Sequence, residues 1–100
     1  MHILIINFEL NGIDRTQYEG ACAEIAEHFA AIPGLITKSW LANEETNTYG
    51  GVYVFENEQS LLDYQASELY AEVGANPAFK NFRITNFEVL GDLSKVTGVG

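Results

Sequence analysis

Two switches of hydrophobic period constrain this chain more than anything else in it. Ile3 to Phe8 is a β-branched and aromatic run that stops at the turn dipeptide Asn11-Gly12. From Thr16 the apolar positions are Tyr18, Cys22, Ile25, Phe29 and Ile32, spaced by four, three, four and three, which draws one stripe down a helix. Thr16 and Glu19 have the spacing of a capping box, and Pro33-Gly34 closes the helix. Leu35 to Leu41 and Tyr49 to Phe55 then read as strands, joined by a polar stretch, Asn43 to Thr48, short enough for a hairpin. After that the period lengthens a second time. Asn57 is placed to cap a helix whose stripe runs through Leu61, Leu62, Gln65, Leu69 and Val73, with Gly74 as a left-handed stop. Asn76-Pro77 begins a turn, and Phe82 to Leu90 alternates as a fourth strand.

The order strand, helix, strand, strand, helix, strand is the split βαβ arrangement of the ferredoxin-like fold, an α+β class. Right-handed crossovers put both helices on one face of a four-stranded antiparallel sheet and leave the other face uncovered. One such domain accounts for residues 1–100, with 91–100 too weakly patterned to place and expected to be a loosely ordered tail or to lie against a partner.

A chain of 100 residues buries only about two-thirds of the surface its unfolded form exposes, so it gains by pairing. Five basic against fourteen acidic residues leave a net charge of -9, which repels phosphate backbones and anionic lipid headgroups. Neither nucleic acid nor a membrane surface is an expected partner. The first ten residues carry no basic flank or small-residue cleavage site, and no apolar stretch is long enough to span a bilayer, so a cytoplasmic protein is expected. The single cysteine cannot form an internal disulfide, and no cysteine or histidine framework for a metal is present.

Strand period assigns the faces. Leu4, Ile6 and Phe8 are expected to meet the helices, with Ile3, Ile5 and Asn7 on the open side. In the third strand Val52 and Val54 suit the helix side, which leaves Tyr49, Gly51, Tyr53 and Phe55 on the open side. For the second strand Ile36, Lys38 and Trp40 are assigned to the open face, because packing against helices would bury an ammonium without a partner. An open face of this kind is too apolar for water, so two copies are expected to stack sheet on sheet.

Phe8, Gly12, Pro33-Gly34, Lys38, Trp40, Gly50-Gly51, Tyr53, Phe55 and Tyr64 give the chain a resemblance to the YdhR-like monooxygenases of the dimeric α/β-barrel superfamily. The resemblance spans residues 3 to 90 and is most specific through PGLITKSW and GGVYVF. It implies a ferredoxin-like protomer, a homodimer whose sheets enclose a barrel, and a pocket either between sheet and helices or at the barrel's heart. It also implies a cofactor-independent oxygenase.

The residues fit that chemistry on their own terms. Gly50 and Gly51 remove side chains beside Trp40 and Tyr53, which leaves room for a planar ligand or for another backbone, or marks a bulge. Trp40 offers a flat face and one N–H, Tyr53 a phenol, Asn7 a donor and an acceptor, and Lys38 a cation. Together they suit an aromatic ligand that acquires negative charge. Direct reaction of triplet dioxygen with singlet organic molecules is spin-forbidden, and the sequence carries neither a dinucleotide fingerprint nor a facial triad. An electron-rich substrate, the anion of a hydroquinone or anthrone, must then supply the electrons itself. The expected catalytic residues are Lys38, Trp40, Tyr53 and Asn7, with Tyr49, Gly51 and Phe55 binding substrate and no cofactor or metal. Lys38 and the Trp40 N–H would stabilise the phenolate, while Tyr53 and Asn7 hydrogen-bond the reacting oxygens. The plainer readings make Trp40 an interface packing group, Lys38 a snorkelling side chain, Cys22 a core residue and His28 a helix-flank residue. The rival function is a non-catalytic protein that binds a small molecule in the same pocket. Haem degradation, known in the same superfamily, is disfavoured, because the third strand ends in Phe55 rather than tryptophan and no histidine follows His28.

Overall fold

The computed structural model describes residues 1–99 and runs β1 (His2–Leu10), α1 (Arg15–Ala30), β2 (Leu35–Asn43), β3 (Thr48–Phe55), α2 (Glu58–Gln65), α3 (Glu68–Ala75), β4 (Phe79–Glu88) and α4 (Gly91–Val96). The strands form one antiparallel sheet in the order β2-β3-β1-β4, which is the ferredoxin-like topology expected from the two period switches.

Local signals explain the ends of the elements and three departures from expectation. The cap of α1 is Asp14 rather than Thr16: its carboxylate accepts from the Gln17 N–H at 2.8 Å, and its own N–H donates to Gln17 Oε1 at 2.9 Å. The second helix is two helices. The Ser67 hydroxyl donates to the Tyr64 carbonyl at 2.6 Å and accepts from the Tyr70 N–H at 3.2 Å, so it closes α2 and opens α3 in one residue. Gly74 therefore lies inside α3, which ends instead at Asn76 in an extended conformation. Residues 91–96, where the sequence offered no pattern, hold the short helix α4.

The assignment of faces is where the structure corrects the sequence. In β1 alternation holds: Leu4, Ile6, Phe8 and Leu10 are buried, while Ile3, Ile5 and Asn7 are only partly covered. Residues opposed across a ladder share a face, and Tyr53 opposes Leu4, Gly51 opposes Ile6 and Tyr49 opposes Phe8. Tyr49, Gly51, Tyr53 and Phe55 thus face the helices, buried in the core, and Val52 and Val54 turn to the open side. Lys38 opposes Tyr53 and Trp40 opposes Gly51, so both lie on the helix side as well. Two physical causes reverse β2. Leu35 opposes Phe55 while Thr37 opposes Val54, which makes Ile36 the extra residue of a bulge and puts Leu35 and Lys38 on the same side. The ammonium, moreover, is not without partners, because ring faces supply them.

The core between sheet and helices is largely aromatic. Tyr18 meets Phe8 and Tyr49 edge-on at 5.9 and 5.0 Å, and Phe8 stacks on Phe79 at 4.3 Å. The opposite face carries Ile3, Ile5, Val52, Val54 and Phe87, and α1, α2 and α3 leave it uncovered. At one end of it α4 closes over Ile3 and Val54 to form an apolar groove of about 640 Å³ that also takes in Leu93 and Val96.

Candidate active site

β2 and α1 together bring Lys38 to an unusual place. The Lys38 Nζ lies 3.4 Å from the ring centroid of Phe29, 3.4 Å from that of Trp40 and 4.6 Å from that of Tyr53. Phe29 and Trp40 themselves meet edge-on, centroids 5.2 Å apart. Among the described residues no carboxylate lies within ion-pair range of Lys38. Gly51 makes the placement possible, since a Cβ there would come within 2.9 Å of Lys38 Cε and 3.1 Å of Tyr53 Cε1. Gly50 serves the backbone instead: its φ is +148° and any side chain would run into the Ile6 carbonyl.

Burial and ring faces pull the ammonium in opposite directions. Desolvation costs a charged group several kcal/mol even after relaxation, whereas a cation over a ring gains about 0.5–2 kcal/mol. Desolvation wins, and the Lys38 pKa falls to about 7, with the nearby Cys22 thiol opposing the drop. Both protonation states are therefore populated at neutral pH. Burial pushes the Tyr53 phenol above its ordinary range, and its hydroxyl is taken up by Tyr64, 3.4 Å away. The Tyr18 phenol is raised too, by burial and then by Cys22 one helical turn along. Cys22 itself is raised by burial, with Tyr18 and Lys38 working against that shift.

Two spaces adjoin this cluster. A cleft of about 320 Å³ lies between α1 and β2, with Trp40, Tyr18, Cys22 and Tyr49 among its walls and Arg15 and Glu19 at the lip, paired at 3.2 Å. A second cavity, about 30 Å³, lies against Lys38 and shares Tyr18, Cys22 and Trp40 with the cleft. The residues named from sequence divide accordingly. Lys38, Trp40, Tyr53 and Gly51 come together, and Tyr49 joins them in the cleft wall. Phe55 is fully buried and stacks on Tyr53 in the core. Asn7 is on the other face of the sheet, paired across β4 with Arg83. Tyr18, Cys22 and Phe29 were visible in the sequence only as a helix stripe; their approach to Lys38 follows from the parity of β2.

Fold and site together define a ferredoxin-like α+β protein with an aromatic cleft and a partly buried amine between sheet and helix. The family model described as "Putative mono-oxygenase ydhR" matches residues 3–99, and the chain belongs to that family. It is in this sense a monooxygenase-family protein. Among solved structures it is similar to a mutant form of SnoaB, a cofactor-independent oxygenase from Streptomyces nogalater, with a TM-score of 0.71, 19% identity and coverage of 89% of this chain and 92% of that one. It is also similar to a protein of unknown function from Nitrosomonas europaea, NE2512, with a TM-score of 0.75, 18% identity and coverage of 90% and 89%. A third similar fold is the heme-degrader MhuD from Mycobacterium tuberculosis with two hemes bound, at a TM-score of 0.69, 19% identity and coverage of 90% and 96%. At these identities the likeness is one of fold. No match was found among curated proteins.

Proposed function

We propose that this chain is a cofactor-independent monooxygenase of electron-rich aromatic small molecules, hydroquinone- or anthrone-like, acting as a cytoplasmic homodimer. The observation that carries the reading is the Lys38 amine, held by Phe29 and Trp40 at 3.4 Å beside an aromatic cleft of about 320 Å³. A planar ligand fits such a cleft by stacking on the Trp40 indole, and the charge behind that ring favours the ligand's anion over its neutral form. With anthrone the balance is one dioxygen consumed and one anthraquinone and one water formed, so the substrate supplies all the electrons. Tyr53 enters through its ring, 4.6 Å from Lys38 Nζ, and its hydroxyl oxygen accepts from the Tyr64 O–H. The role that the sequence suggested for Asn7 is not part of this reading, because the sheet stands between it and Lys38.

The homodimer is supported by the uncovered sheet face and by α4, whose Leu93 and Val96 are 69% and 84% exposed. A second copy presenting the same face buries both. The test of function is oxygen uptake by purified, chelator-treated protein with anthrone and a panel of dihydroxyarenes, followed by product spectra. Protein-dependent quinone formation is expected. Tight binding of the same compounds with no oxygen consumed would instead make the cleft a carrier or sensor site and overturn the reading.

A further inference from the structure

We propose that dioxygen occupies the small cavity beside Lys38 while the arene occupies the cleft, and that the Lys38 ammonium stabilises the superoxide formed there. The inference rests on the oxygenase reading and adds to it the location of the second substrate. A cavity of about 30 Å³ is far too small for an aromatic ring and large enough for a diatomic molecule. Phe8, Ile25, Phe29, Val73 and Phe79 give it an apolar side, and Lys38, Tyr18, Cys22, Trp40 and Tyr53 line the rest. Dioxygen, being nonpolar, favours the apolar side, while the polar side is where a negative charge formed in the cavity is stabilised. The two spaces share Tyr18, Cys22 and Trp40, so they adjoin.

This arrangement answers the spin problem. The arene anion, its proton already lost to water, passes one electron to triplet dioxygen, giving a delocalised phenoxyl-type radical and superoxide, a pair of doublets that combines once its spins have re-paired. The negative charge thereby moves from the cleft to the cavity, toward the one cation that the described residues place on its wall. Radical and superoxide join in a C–O bond where the two spaces adjoin. The Lys38 ammonium protonates the resulting peroxide, the peroxide loses water to leave the quinone, and Lys38 regains a proton from solvent. Atoms and electrons balance with the arene as sole reductant and dioxygen as sole oxidant.

Paramagnetic relaxation by dissolved dioxygen, measured by NMR on the protein without substrate, tests the location. Ring protons of Phe8 and Tyr53, which line the cavity, are expected to relax faster under oxygen pressure than those of the similarly buried Phe55 and the methyls of Leu4 and Leu61. Val73→Ile, which adds a methylene to the wall, or Ile25→Phe from the opposite helix should remove the excess. In the anthrone assay either variant should raise KM for dioxygen at least about fivefold and leave KM for anthrone unchanged. Equal relaxation at Phe8 and Phe55 in a protein that still oxidises anthrone would overturn the cavity assignment and leave the oxygenase reading intact. Excess relaxation at Phe8 without turnover of any arene would overturn the superoxide step and the oxygenase reading together.

Discussion

The two faces of the one sheet are built from the same three adjacent strands, yet they do opposite work. Toward the helices it presents Tyr49, Tyr53, Phe55, Trp40 and Lys38; toward the outside, Ile3, Ile5, Val52 and Val54. Large flat rings need partners at several angles, and a curved helical layer supplies them through Tyr18, Phe29 and Tyr64. Short branched side chains make a low, even surface, which suits another sheet packed about 10 Å away. Both faces are apolar, so hydrophobicity does not distinguish them. Side-chain shape does, and the proposed chemistry goes with the rings.

The comparison breaks first at Phe29, which is 2% exposed and touches both Lys38 and Trp40. Phe29→Ala should cost about 3–5 kcal/mol in denaturant unfolding, far more than Ile5→Ala on the partly covered side measured below the dimer dissociation constant. Next comes the outer face. Val52→Asp places a charge where the proposed second sheet packs, away from α4, and light scattering should show a dimeric wild type and a monomeric variant, with folding kept by circular dichroism. A wild type that is monomeric at micromolar concentration would remove the sheet-on-sheet assembly altogether.

Lys38→Met sharpens the comparison rather than breaking it. Anthrone oxidation should fall about 10- to 100-fold, because the methionine keeps the packing and loses the charge. Stability moves the other way, and its pH dependence has a definite sign. The folded pKa of about 7 lies below the ordinary lysine value of 10.5, so between those limits the unfolded chain holds the extra proton and wild-type stability rises with pH. Lys38→Met should thus be the more stable protein at pH 7, with its advantage shrinking as pH approaches 10. The smallest effect is expected at Asn7. Asn7→Ala should change anthrone turnover by less than about twofold, since the side chain faces away from the cleft.

The order of elements was legible because long periodic segments report their own type, and the cap at Asn57 was legible because the side chain reaches only its local backbone. What stayed hidden depended on neighbours in other elements. Ser67 splits a stripe that by spacing alone continues from Leu61 to Val73. Lys38, Trp40 and Tyr53 stood out as a group, yet Lys38 and Trp40 were turned outward on the assumption that an ammonium would lack a partner against the helices, and Tyr53 because Val52 and Val54 were given the helix side. Phe29, near the end of α1, was the counterpart, and nothing in a helix stripe says which strand it will cover. Gly51 was the one local clue, an absent side chain at the spot where a lysine stem must cross.

Ile36 leaves a consequence for anyone comparing relatives of this chain. Because it is the odd residue in β2, a homologue one shorter there can keep every hydrogen-bonded rung from Thr37 onward, while an alignment that slides the gap by one position pairs pocket residues with outward-facing ones. Where that gap is drawn decides whether a lysine in a distant cousin is counted as equivalent to this one or as its mirror on the far side.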